Sequence, residues 1–250
     1  MSACLEIACF SAEALLIAAK AGAHRLEYCA SYAEGGVTPI SGTLLPIRQQ
    51  IACPVRVMIR CRGGGFVYSH GELLDMRQQL RRWADEGVDG WVVGCLTPDR
   101  LPDADAILSI AQAAPSLPFT FHRAFDHCSD PISALHQLLA LGCSHLLSSG
   151  TPTGGALDGI EKLIIYAKHL NGENQKLKPE QPNKPDQLKL MVGGGVRRDN
   201  ISTLFGQFGD MVDYHSAAVV AGLGRHPSTD PNPDPNPDPS DIEFMLCSLL

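Results

Sequence analysis

The chain has 250 residues, 44 % of them hydrophobic and 19 % charged, which is enough for one large α/β domain with a substantial core. Lys and Arg number 20 against 27 Asp and Glu, and the resulting net charge of −7 argues against nucleic acid or an anionic membrane as the main partner. Nine cysteines, an odd number without a Cys-x-x-Cys pair, read as reduced thiols of a cytoplasmic protein and not as a disulfide framework.

From the N-terminus, MSACLEIACFSAEALL lacks a basic leader, and Glu6 and Glu13 interrupt its apolar run, so it does not read as a signal peptide. No stretch reaches the roughly 20 apolar residues that span a bilayer. Instead, residues 5–9 form a strand-like run, and Ser11 can cap a helix over 12–21 that Gly22 ends. Further strand-like runs follow at 25–29 and 55–60. Ser69-x-x-Glu72 is a capping box that opens a helix to about Asp85. After runs at 90–94 and 119–123, Asp130-Pro131 begins a helix closed by Gly142. The run at 145–149 precedes a helical stretch and then a polar, proline-bearing segment, 171–187, that reads as a solvated loop. Runs at 188–192 and 212–215 complete the set.

Eight strands alternating with helices require parallel pairing with right-handed crossovers. The length suits an eight-stranded (β/α)8 barrel of the TIM type better than an open doubly wound sheet, because Phe10-Ser11-Ala12 stands where the latter carries its glycine-rich turn. The division expected is a barrel over 1–225, a Pro/Asn/Asp-rich linker over 226–241, and a short tail over 242–250 that docks back as a helical turn or two. The prolines of the linker exclude helix and ladder pairing.

In such a barrel the functional groups lie inside, near the C-terminal ends of the strands. Alternation puts Glu27 and Cys29 on one face of the second strand, and Thr120 and His122 together on the fifth. The flanking phenylalanines suit the helix-packed side, so His122 faces inward. The same logic turns Glu6, Arg60 and His215 inward. The loops that follow are rich in glycine: Gly35-Gly36, Gly63 to Gly65, Ser149-Gly150, Gly154-Gly155, and Gly193, Gly194 and Gly195. With Arg60, Arg62 and Arg123 they suit a phosphate or carboxylate. No lysine ends a strand, which disfavours Schiff-base chemistry. There is no nucleophile elbow, Walker loop or HExxH.

The segments Arg25-Leu-Glu-Tyr-Cys29, Glu34-Gly-Gly-Val-Thr-Pro39, Met58-Ile-Arg60 with Arg62-Gly-Gly64, Thr120-Phe-His-Arg-Ala-Phe-Asp126, Ser149-Gly150, Gly193 to Gly195 and Tyr214-His-Ser-Ala217 run in order to about residue 218. Together they resemble the CutC family, the proteins named for copper homeostasis, and Phe-His-Arg-Ala-Phe-Asp is the most specific of them. The resemblance implies a βα barrel, a cytoplasmic location, a homodimer and an association with copper. Two positions depart from the family pattern, with Cys61 in place of a proline and Gly65 in place of an acidic residue.

Two functions follow. In the first the chain binds copper: Cu(I) favours thiolates, Cys29 matches a family position proposed for binding, and Cys61 offers a second ligand. In the second it is a barrel enzyme acting on a small anionic metabolite, phosphorylated ones included. Glu27 and His122 are then the acid/base pair with His215 in support, while Arg60, Arg62, Arg123, Ser149, Gly150 and the Gly193–Gly195 turn hold the anion. A variant has Glu27, His122 and His215 hold a divalent metal as Lewis acid.

Overall fold

The structure, a computed structural model, describes residues 2–174, 187–218 and 236–250. Its strands are β1 (Leu5–Cys9), β2 (Arg25–Tyr28), β3 (Val55–Met58), β4 (Gly90–Val93), β5 (Phe119–Phe121), β6 (His145–Ser148), β7 (Lys189–Val192) and β8 (Asp213–Ser216). They pair in chain order, all parallel, and β8 closes on β1. The α-helices are α1 (Ala12–Lys20), α2 (His70–Asp85), α3 (Ala104–Ala111), α4 (Pro131–Ala140), α5 (Ile160–Asn174), α6 (Ile201–Phe208) and α7 (Pro239–Cys247). The fold is therefore the expected (β/α)8 barrel, with one irregularity: only short 3-10 turns connect β2 to β3.

Local chemistry explains the helix starts. Ser11 accepts from Ala14 N at 3.0 Å, Ser69 and Glu72 form the reciprocal capping box, and Asp130 accepts from Ser133 N with Pro131 behind it. Two boundaries differ from the sequence reading. The segment expected as a loop from residue 171 begins inside α5, which runs to Asn174. The Asn174 side chain bonds both backbone groups of Leu188, tying the helix end to β7. The expected linker ends sooner, because Asp238 caps α7 and Pro239 sits in its first turn, where a missing N–H costs nothing. Ile242 and Met245 are buried and Leu246 lies against Gly22 at the end of α1, so α7 takes the place of the helix after the last strand. Residues 175–186 and 219–235, which include most of the proline repeat, lie outside the described residues.

Packing follows the strand alternation. Leu5, Ile7, Leu26, Tyr28, Val55, Val57, Trp91, Val93, Phe119, Phe121, Leu146, Leu190, Val192 and Tyr214 form one continuous core with the helices. The opposite faces fill the barrel, and they are far more polar than the branched aliphatic layers usual in this fold. Glu6, Arg25, Glu27, Arg56, Thr120, His122 and Asp213 are all buried. In the lower half Arg25 pairs with Glu6 and lies 3.4 Å from Asp213 and 3.1 Å from His145 Nε2. Lys189 reaches Asp213 at 2.7 Å, and Arg56 donates to the Thr120 hydroxyl. Each buried charge of this lower half thus meets a charged or polar partner, as burial demands.

Candidate functional site

Above this ionic floor a cavity of about 380 Å³ opens at the C-terminal ends of the strands. Glu27 and Cys29 from β2 and its end, Met58, Arg60, His122, Leu147 and His215 line its depth, with Glu34, Phe66, Arg123, Gly194, Gly195 and Arg197 from the loops around them. The inward orientation expected for Glu27, Cys29, Arg60, His122 and His215 is thus realised. Glu6 lies one layer lower, as the partner of Arg25 and His215.

The run at 119–123 does not stay extended to its end. β5 stops at Phe121, and His122 caps a 3-10 turn over Arg123–His127 by accepting from Ala124 N through Nδ1 at 3.0 Å. That bond fixes the ring tautomer. Nδ1 supplies a lone pair, so the neutral ring carries its proton on Nε2, which is buried and has no hydrogen-bond partner among the described residues. Burial, reinforced by the Arg60 charge, holds the His122 pKa down at about 3. The Ala124 bond presents His122 as a hydrogen-bond donor through Nε2, and Nε2 could ligate a metal only if its proton moved to Nδ1 at the expense of that bond.

His215 has the opposite setting. Its Nδ1 lies 2.9 Å from Glu6 and its Nε2 3.7 Å from Glu27. Burial opposes its charge, but the two carboxylates outweigh burial and raise its pKa. Glu27 is itself raised, chiefly by burial, with His215 pulling the other way and Glu6 adding to the rise. Its Oε1 is buried and has no hydrogen-bond partner among the described residues. Two unpartnered polar atoms, one on Glu27 and one on His122, therefore belong to the lining of one cavity.

Three guanidiniums border it. Arg60 is buried, donates to the carbonyls of Glu34, Gly36 and Gly64, and sits 5.1 Å over the Phe66 ring. Arg123 pairs with Asp126 at 3.0 Å and reaches Ser149 Oγ at 2.8 Å. Arg197, which the sequence reading did not single out, bonds the Val196 carbonyl at 2.7 Å and Ser216 Oγ at 3.3 Å. Among the described residues neither Arg60 nor Arg197 pairs with a carboxylate. Gly194 and Gly195 have φ of 89° and 72°, and a Cβ on Gly194 would meet the Arg123 guanidinium at 3.4 Å. Gly194, Gly195, Arg123 and Arg197 make a contiguous wall suited to an anion.

Other expected site residues are placed elsewhere. Arg62 turns away to pair with Glu72 and to donate to Gly63, Gly65 and Val67, bracing its own loop. Ser149 and Gly150 are buried in the turn after β6. Asp126 accepts from Ser148 Oγ at 2.6 Å and Ser149 Oγ at 3.0 Å, and a Cβ on Gly150 would fall 2.3 Å from the Gly159 carbonyl. Gly193 is needed for packing, since a Cβ there would fall 2.5 Å from Leu147. Cys61, one residue past inward Arg60, faces the helix-packed side and does not join Cys29 in the cavity lining. Burial, then Glu27, raise the Cys29 thiol pKa, and Cys29 packs with Met58 and Val92 in an apolar cluster.

Gly94 carries a sharp expectation. A Cβ there would fall 2.0 Å from His122 Cε1 and 2.3 Å from Nδ1. Gly94→Ala is expected to expel the ring from its capping position, to destabilise the barrel by about 1–3 kcal/mol or more, and to shift the His122 ring signals in an NMR spectrum.

Comparison with known proteins places this geometry. Residues 3–219 match the CutC family. The crystal structure of a putative copper homeostasis protein CutC from Streptococcus agalactiae is similar at 30 % identity and TM-score 0.75, over 87 % of this chain and 99 % of that one. The barrel alone is shared with ribulose-1,5-bisphosphate carboxylase/oxygenase from Pyrococcus horikoshii OT3, at 13 % identity and TM-score 0.65 over 99 % of this chain and 57 % of that one. It is also shared with phosphoribosyl anthranilate isomerase from Thermotoga maritima, at 12 % identity and TM-score 0.58 over 99 % and 98 % of the two chains.

Proposed function

Because the chain belongs to the CutC family, and a similar protein of known structure is described as a putative copper homeostasis protein, we propose that its part in that process is enzymatic: acid–base chemistry on a small anionic metabolite held in the rim cavity. The observation that carries this reading is the pairing of Glu27 Oε1 and His122 Nε2, both buried, both without partners, in one cavity bordered by arginines. A carboxyl raised above its ordinary range is suited to exchange a proton with a bound metabolite, and a fixed neutral imidazole N–H is suited to an oxygen that gains negative charge. His215, clamped between Glu6 and Glu27, holds the Glu27 carboxyl in place and tunes its charge. Arg197 and Arg123, beside Gly194 and Gly195, take the anionic group of the metabolite.

The cavity offers copper few soft donors: Cu(I) takes thiolates and thioethers, and the lining holds one thiol, Cys29, with the Met58 thioether, while Cys61 lies outside it. All nine cysteines are unpaired, which supports a reducing, cytoplasmic setting. No helix of the described residues is long and apolar enough to cross a membrane.

The test is native mass spectrometry of the reduced full chain, followed by titration with inorganic phosphate. A retained small anion, or phosphate binding that Arg197→Ala weakens roughly tenfold through loss of a charge-assisted bond, is expected. Cys29→Ser should leave that binding intact. Stoichiometric Cu(I) lost in Cys29→Ser, with phosphate binding indifferent to Arg197, would overturn the reading.

A further inference from the structure

The outer surface of the barrel carries a second constellation that the cavity does not use. His136 on α4 and His169 on α5 face each other with their Nε2 atoms 2.9 Å apart and ring centroids 4.9 Å apart. Glu173, one turn beyond His169 on the same helix, brings a carboxylate to the same point, and the three ligand atoms all lie within 4.8 Å of one another. None of the three lines the cavity. His136 is exposed, while His169 and Glu173 are half-buried.

We propose that His136, His169 and Glu173 form a surface site for a divalent transition cation such as Zn²⁺, bridging α4 and α5. Nitrogen ligands sit about 2.0–2.1 Å from such an ion. Two of them on one ion are therefore roughly 2.9 Å apart when at right angles and somewhat farther when tetrahedral, so the observed separation needs little adjustment. A cation at the point where the three ligand atoms converge uses both imidazoles and the carboxylate, and Glu173 offsets part of its charge. Two imidazoles and one carboxylate suit zinc and its neighbours better than Mg²⁺ or Ca²⁺, which take oxygen ligands. The exposed side of His136 leaves a coordination position open to water or to a group from outside the chain.

The experiment uses the full chain, reduced, with the exposed thiol removed by Cys247→Ser as background and Zn²⁺ as the probe, since zinc does not oxidise the remaining thiols. Zinc is titrated in competition with a chromophoric chelator. One equivalent is expected, weakened at least about tenfold (the scale on which even outer-shell changes act) by His136→Ala and by His169→Ala, and weakened also by Glu173→Gln. His136 is exposed, so its replacement leaves the fold intact, and a circular dichroism spectrum verifies this. Absence of the equivalent from the background protein overturns the proposal. So does its full retention in either histidine variant, which would place the zinc on thiols. A Cys29→Ser variant should keep this equivalent, which separates the outcome from anything that happens in the cavity.

Discussion

Arg25→Ala is expected to destabilise the barrel by about 3–5 kcal/mol, the range for removing one partner from a buried ion pair. Arg25 is the hub of the lower interior: it pairs with Glu6, approaches Asp213 at 3.4 Å, and meets His145 and the Met191 sulfur. Both carboxylates are buried, and for each the surrounding cations more than offset the burial that would otherwise raise its pKa. Without the guanidinium, Glu6 keeps His215 and Asp213 keeps Lys189, so the loss is large but not total. For a chain of this length the melting temperature should fall by roughly 10 °C. Neutralising the acids in the same background, as Glu6→Gln with Asp213→Asn, should recover part of the loss, because it removes charges left without their partner. A change below about 1 kcal/mol would mean that the floor is hydrated and the network is no stronger than surface pairs.

Acidification from pH 7 to pH 5 is expected to destabilise the protein, with His122 and His145 as its sources. The His122 pKa is held at about 3 and that of His145 at about 4, in each case chiefly by burial. The unfolded histidines take up protons near pH 6.5, while the folded ones do not until pH falls to those values. Their contribution is therefore complete above pH 6.5 and is lost as pH falls toward 4 and then 3. Each such proton is worth about 1 kcal/mol per pH unit. Glu27, raised chiefly by burial, acts in the opposite sense, because the folded state keeps its proton above the usual carboxylate range. His215, also raised, contributes stability that is present below pH 6.5 and fades as pH rises through its folded value, so it acts only at the upper end of this window, where it favours the folded state as pH falls. Each depressed histidine thus contributes a loss of roughly 2 kcal/mol between pH 7 and pH 5, and Glu27 offsets part of their sum. Urea unfolding at the two pH values measures it. His122→Gln should flatten the slope, and a slope that this variant leaves unchanged would show that His122 is already solvated.

Both expectations rest on the strand interiors, and there the sequence was only partly legible. Eight runs, their order and their parallel pairing followed from local pattern. So did the inward direction of Glu27, Cys29, Arg60, His122 and His215, since period-two alternation is a property of the backbone alone. The same alternation also marks Arg25, two residues before Glu27, together with Arg56, His145 and Asp213. Those residues begin their strands, and attention to the C-terminal rim passed them over. Arg197 was missed because the glycine triplet before it drew the anion-binding role.

What only the tertiary structure decided is which partner each group meets. Ser149 and Arg62 carry the chemistry of anion binding, yet Asp126 and Glu72 claim them first. His122 reads as an acid or base until the Ala124 amide fixes its proton on the far nitrogen. His136 and His169 stand 33 residues apart in the chain and meet because adjacent helices on the barrel wall bring them together. Local sequence sets backbone conformation and the face on which a side chain emerges. Charge state and chemical role depend on neighbours supplied by distant segments, and closure of the barrel is what brings those segments into reach.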